Sequence, residues 1–249
     1  MSARKIFFLH NPKAGGASIR LLLHKASKGG TMAPLFMNAP EDYRFNRTAV
    51  TNLRGYDLYF GHYGYEVFQV VNDGHVLVTN FRDPVRRIYS LYRYWRHNVL
   101  DTVLHQLMDQ DAFVVRLAKQ KSFSEFIRVN NINLLCYISN FHFRQIHRTG
   151  WLNYPCTKNA ELMVRRRIRT MPWFYVSETP EASMSLFRLA FPDVMNIDIS
   201  FENASLGDQK EIDAKDVDHL SSLNRLDYAI YAYAISIQSK RLANITNKI

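Results

Sequence analysis

Cysteine is scarce in this chain, with two in 249 residues. Neither Cys136 nor Cys156 has a neighbour at C-x-x-C or at any metal-ligand spacing, so a disulfide scaffold, a zinc ribbon and a thiol redox centre all lack their residues. Two reduced thiols fit a reducing cytoplasm. Long apolar runs are missing too. Ile6 to Leu9 is too short for a signal peptide and the uncharged stretch Tyr228 to Gln238 too short to cross a bilayer, so the chain as given reads as soluble, with no transmembrane segment. Three N-x-S/T triplets begin at Asn46, Asn203 and Asn244, but such triplets often arise by chance and do not outweigh the cytoplasmic reading. There is no repeat, low-complexity tract or Pro/Ser-rich linker at which to cut, which predicts one domain over residues 1–249.

Acidic residues are the minority charge, 22 against 32 Lys and Arg, and the resulting net charge of +10 favours a polyanionic ligand. Nucleic acid, acidic glycan, anionic lipid and nucleotide all meet that description. No zinc-finger spacing or RNP-type aromatic signature accompanies the charge, so no nucleic-acid partner is expected. With 47% hydrophobic and 13% aromatic residues the chain has material for a large core, which argues against disorder.

The apolar patterning predicts alternating strands and helices. Lys5 to Leu9 reads as a buried strand, followed by a Gly-rich turn and a helix carrying Ile19, Leu22 and Leu23. Leu58 to Gly61 and Val76 to Phe81 are short apolar runs of the kind that form interior parallel strands. After the second, Asp83 offers a helix cap and Pro84 a first helical residue whose missing N–H costs nothing, with Ile88, Leu91 and Trp95 following to about His97. Asp101 to Asn140 reads as largely helical, with a capping box at Ser122 and Glu125. Ala160 to Thr170 is a basic helix, Trp173 to Val176 a strand, and Thr179 with Pro180 caps a helix reaching Phe191. Met195 to Phe201 is a weaker strand. A final helix runs from Leu223 to Leu242, with Leu226, Ile230, Ala234 and Ile237 on one face. The predicted fold class is α/β, a central parallel sheet flanked by helices.

Between the first strand and helix lies Asn11-Pro12-Lys13-Ala14-Gly15-Gly16-Ala17-Ser18. Glycines there let backbone N–H groups turn inward, and a helix N-terminus favours an anion, so the segment suits a phosphate. It is not a Walker loop, because Lys13 precedes the glycine pair instead of following it. The segment resembles the 5′-phosphosulfate loop of sulfotransferases, written P-K-x-G-G-[TS]-[ST], as in the heparan sulfate 2-O and 6-O enzymes and bacterial relatives. That resemblance implies a P-loop sulfotransferase-like fold, a bacterial source, and 3′-phosphoadenosine 5′-phosphosulfate as sulfuryl donor with no metal. It implies that Lys13 meets the bridging oxygen of the donor, while Pro12, Ala14, Gly15, Gly16, Ala17 and Ser18 complete the 5′-phosphate loop. Members of the family often carry Thr where this chain has Ala14 and Ala17, so two hydroxyl donors are missing and donor affinity is expected to fall.

Two further segments carry the likeness. Arg82 and Ser90 stand eight residues apart in a stretch that resembles the family's 3′-phosphate element; one leaves a strand end and the other lies about two turns into the next helix, so both reach one phosphate. Gly61-His62 follows the second strand, where related enzymes carry a catalytic His, which implies His62 as general base; an unperturbed imidazole titrates near pH ~6.5 and accepts a proton at neutral pH. The stretch Phe174 to Glu178 with Ser183, Leu186 and Phe187, and Asn224, Asp227 and Tyr231 near the end, resemble later units of the family, Glu178 being the better fit for a structural hydrogen bond. The acceptor implied is a hydroxyl, by resemblance a glycan's.

Arg165, Arg166, Arg167 and Arg169, with Arg93 and Arg96, offer charge for an acidic saccharide or simply a solvated helix face; Tyr63, Tyr65, Tyr92, Tyr94 and Trp95 offer stacking surfaces or core. Two other readings stay open. A nucleotide-dependent, kinase-like phosphotransferase needs magnesium, and neither the Lys-Ser/Thr ending of a Walker loop nor a clear metal-binding Asp at a strand end is present. A non-catalytic polyanion-binding protein would need only the charge.

Overall fold

The computed structural model describes residues 4–33, 53–107, 109–148, 159–194 and 212–246. Four strands, β1 (Ile6–Leu9), β2 (Leu58–Gly61), β3 (Val76–Phe81) and β4 (Phe174–Val176), form an all-parallel sheet in the order β2-β1-β3-β4. Ile6 pairs with Leu58 on one side and Val76 on the other, so β1 is an interior strand. The predicted α/β class with a parallel sheet is thus what the chain adopts.

Alternation along each strand fills two cores. Phe7, Leu9, Tyr59, Phe81, Phe174 and Val176 face α2 (Tyr65–Val71), α7 (Phe141–His147), α8 (Ala160–Thr170) and α11 (Arg225–Thr246). Ile6, Phe8, Leu58, Phe60, Val78 and Tyr175 face α1 (Gly16–Ala26) and α9 (Pro180–Ala190). Both sides of the sheet are therefore dry, which is why its strands read as unbroken apolar runs. A third core, beside the sheet, packs α3 (Pro84–His97) against α4 (Asp109–Gln120), α5 (Phe123–Ile127), α6 (Ile132–Ile138) and α10 (Ala214–Leu223).

Several helix ends follow from their residues. Asp83 accepts the Arg86 N–H at 2.9 Å with Pro84 in the first helical position, and Ser122 and Glu125 form the reciprocal capping box. Thr179 does not cap α9; its hydroxyl instead donates to Gln238 Oε1 at 2.6 Å, tying α9 to the last helix. The expected last helix is present, starting at Arg225 instead of Leu223 and reaching Thr246, and it is preceded by a separate helix, Ala214–Leu223, that the sequence reading did not assign. Asn224 turns its amide to the carbonyls of Ile138 and Leu220, both at 2.8 Å, and Asn140 Oδ1 accepts the N–H groups of Leu226 and Asp227, so α11 starts afresh with its own cap. The segment expected to be helical after Asp101 opens with a 3₁₀ turn, Asp101–Gln106. The strand expected at Met195 to Phe201 and the thiol of Cys156 lie outside the described residues. No described helix is long and apolar enough to cross a membrane.

Candidate functional site

The strand order creates a crevice. From β1 the chain passes through α1 on one face to β2, then through α2 on the other face to β3 on the opposite side of β1, so the connections diverge at the carboxyl ends of β1 and β3. Ligands of open α/β sheets sit at such a divergence. Here it carries the loop after β1 and Arg82 after β3.

The loop is held from below by β3. Asn80, fully buried, accepts the Asn11 N–H at 2.7 Å and donates to the carbonyls of Asn11 at 3.0 Å and Ala14 at 2.8 Å. Three bonds from one amide fix both ends of a four-residue stretch. Lys13 has φ 65° and Gly15 φ 84°, alternating left-handed residues that turn successive N–H groups to one side. For a lysine this backbone region is unfavourable, and the Arg82 guanidinium stabilises it by donating to the Lys13 carbonyl at 2.8 Å. Pro12, Ala14 and Gly16 are buried beneath the turn, Gly15 and Ala17 are exposed, and Lys13 and Ser18 are half-buried. No side chain caps α1 and its first turn has no acid, so N–H groups there are left for solvent or an anion. Gly15 is required twice over. Its φ is positive, and a Cβ would meet the Tyr175 ring at 3.0 Å.

Two cations share the crevice. Lys13 Nζ lies 4.3 Å from the centre of the Tyr94 ring, and its ammonium is held below the ordinary lysine value by burial and then by the Arg82 charge. Arg82 is likewise lowered by burial, with Glu178 opposing. Like charges brought together in a partly dry crevice repel, and a doubly charged anion between them relieves the repulsion. Ser90 is half-buried on α3, one turn before Tyr94, so it shares the helix face that carries the Lys13 contact.

At the end of β2, His62 stands beside His10, the residue that opens the loop, with ring centres 4.8 Å apart. His62 keeps some exposed surface, but its Nε2 is enclosed without a partner among the described residues, and burial holds its pKa down to about 4. The imidazole is neutral at physiological pH. His10 is held low by burial first, then by His62 and Lys13.

Glu178 accepts the Asp83 N–H at 3.0 Å and Tyr228 donates to Asp83 Oδ2 at 3.2 Å, which braces the start of α3 behind Arg82. Asp227 and Asn224 lie deeper. Asp227 accepts the N–H groups of His142 and Phe143, and burial pushes its carboxyl up while Arg87 pulls it down. Arg87 is fully buried, donates to the Tyr137 carbonyl at 2.8 Å and lies over Phe141, its pKa lowered to about 10.

The basic residues do not form one cluster. Arg165 pairs with Glu161 and lies over Tyr233, Arg167 lies over Tyr65 and donates to the carbonyls of Ile146 and His147, and Arg96 donates to those of Ala118 and Lys121. Arg166 and Arg169 are exposed. Of the aromatic residues weighed for stacking, Tyr63, Tyr92 and Trp95 are core and Tyr65 carries Arg167, whereas Tyr94 is 39% exposed beside Lys13. The sequence reading passed over Asn80, His10 and Tyr175. Asn80 left a signal, an amide inside the apolar run Val76 to Phe81, since a polar group in a buried strand needs partners.

No protein-family model matches this chain, and no curated protein matches it. The geometry and chemistry of the crevice therefore carry the functional reading.

Proposed function

We propose that this chain is a P-loop sulfotransferase-like enzyme that moves a sulfuryl group from 3′-phosphoadenosine 5′-phosphosulfate to a hydroxyl, a glycan's by the sequence resemblance. The observation that carries the reading is the convergence of Arg82 and the Lys13 loop at the sheet's divergence point, joined by the 2.8 Å bond from guanidinium to Lys13 carbonyl. The donor is an adenosine with phosphate at both ends, and the crevice offers two sets of cationic and N–H donors. The residues fit such a group: an uncapped helix start, glycine at both positions where a Cβ would collide, and two mutually repelling cations.

In this reading the loop N–H groups and Lys13 hold the 5′-phosphosulfate, and Arg82 with Ser90 holds the 3′-phosphate. Lys13 leaves the Tyr94 ring for the bridging oxygen and neutralises charge as the S–O bond breaks. His62 takes the proton of the acceptor hydroxyl as its oxygen attacks sulfur. Its imidazole is neutral in the resting protein, and negative charge arriving beside it raises its affinity for that proton. Sulfuryl transfer is in-line displacement with diffuse charge, so positioning and electrostatics supply the rate.

The test is calorimetry with 3′,5′-adenosine bisphosphate together with transfer of labelled sulfate to a panel of glycans, phenols and lipids. Binding that weakens at least about tenfold in Arg82→Ala is expected, a charge-assisted contact to phosphate being lost. Preference for ATP with magnesium over the bisphosphate would instead point to phosphoryl transfer, and salt-sensitive binding of polyanions without nucleotide binding to a non-catalytic role.

A further inference from the structure

Gly16 has no room for a side chain, and His10 is the reason. A Cβ at Gly16 would lie 1.8 Å from His10 Nε2 and 2.6 Å from Cε1. The His10 ring cannot swing aside easily, because Phe8 and Phe60 flank it at ring-centre distances of 5.4 and 4.9 Å. On its remaining side the ring tilts at 40° against His62, 4.8 Å away. One side chain thus touches the first residue of the loop's helix and the imidazole at the end of the neighbouring strand. Its polarity is also unaccounted for by packing. His10 Nδ1 and His62 Nε2 are both enclosed with no hydrogen-bond partner among the described residues, which is unfavourable for a buried polar atom.

We infer that His10 is a positioning residue that spaces the anion-binding loop from His62, bearing on Gly16 with its Nε2 edge and lying tilted against the His62 ring. This rests on the reading of His62 as base and extends it. Base and leaving group must sit on opposite sides of the transferred sulfur, so the distance between the loop and the imidazole is a catalytic dimension, and a misplacement of about 1 Å is enough to cost on the order of 10²-fold in rate. His10 sets that dimension without touching the donor or the acceptor. The charged neighbours are Lys13, from the loop, and Arg20 of α1, 5.5 Å over the Phe60 ring that His10 touches. A neutral His10 ring beside His62 leaves room for an imidazolium there; a second cation would oppose it.

The test uses His10→Ala, His10→Asn, Gly16→Ala and the double variant Gly16→Ala/His10→Ala in the full chain. Side-chain ¹⁵N NMR follows the titration of His62, calorimetry follows 3′,5′-adenosine bisphosphate, and single-turnover transfer of labelled sulfate to the best acceptor of the glycan, phenol and lipid panel follows chemistry. Removing the ring admits water to His62, so its midpoint is expected to rise by at least about one unit in His10→Ala. Single-turnover rate is expected to fall about tenfold or more with bisphosphate affinity changed less than about threefold, and His10→Asn, whose planar amide keeps part of the contact, is expected to recover part of the rate. Gly16→Ala alone is expected to lower thermal stability, and the loss is expected to shrink in the double variant because the colliding ring is gone. A folded His10→Ala protein with unchanged His62 titration and unchanged rate overturns the inference. Should His10→Ala not fold, the same comparison between Gly16→Ala in the wild-type and His10→Asn backgrounds decides, additive losses overturning it. Absence of bisphosphate binding in the wild-type chain would remove the sulfotransferase reading, whereas the His62 titration and the Gly16/His10 stability cycle report on the spacing role independently.

Discussion

Asn80→Ala isolates the device that holds the loop, and its cost can be worked from three bonds. The substitution removes the acceptor of the Asn11 N–H and the donors to the carbonyls of Asn11 and Ala14, in a region where Asn11 is 1% exposed and Ala14 and Asn80 are fully buried. An N–H left unpaired there costs about 1–3 kcal/mol, and the two carbonyls lose a net bond of roughly 1 kcal/mol each. Water entering the vacated space offsets part of this, so a loss of about 2–4 kcal/mol is expected by urea unfolding, with an unchanged slope. The loop should suffer beyond the global loss. Lys13 stays in its left-handed conformation only while the residues on either side of it are fixed, so 3′,5′-adenosine bisphosphate should bind about tenfold or more weakly under conditions where the variant is fully folded. Asn80→Asp should be worse than Ala, since a carboxylate turns an oxygen toward two carbonyl oxygens and adds negative charge beneath the proposed anion site. A loss below about 1 kcal/mol in Asn80→Ala, with bisphosphate affinity within about twofold, would refute the clamp.

Lys13→Ala and His62→Ala are each expected to lower turnover by about 10²-fold or more with the fold intact, measured by labelled sulfate transfer; near-normal turnover in His62→Ala removes it as base. Acid should destabilise the fold. Buried His142, held at about 3, and His62, held at about 4, have folded values below the unfolded value near 6.5, so the unfolded chain binds more protons as pH falls and stability is lost below about 6.5. For His142, which is 3% exposed, the loss by pH 5 is about 1.5 × 1.36, or roughly 2 kcal/mol, and His142→Gln should flatten that part of a pH series of urea titrations.

The strands and most helix starts were legible because their physics is local. Short apolar runs bounded by turn residues suit interior strands of a sheet covered on both faces, and Asp83-Pro84 and Ser122 with Glu125 write their caps into adjacent residues. Where the partner was distant, sequence reading failed. Thr179 looked like a cap but spends its hydroxyl on Gln238, 59 residues away, and the start of α11 two residues later than expected depends on Ile138, the last residue of α6, and Asn140, the residue before α7. The arginines of α8 read as one charged run until α7, Tyr65 and Tyr233 divided it.

The expectation that the loop takes an anion rests on composition and order alone: lysine before two glycines, between a strand and a helix. What only the tertiary structure decided is which groups meet there. Strand order β2-β1-β3-β4 puts Asn80 and Arg82 under and beside a loop about 70 residues earlier, and sets His62 against His10 on the opposite side. These contacts span long stretches of chain and arise from parallel pairing, whose register is settled by burying both faces of the sheet at once and so is a property of the whole core and of no single segment.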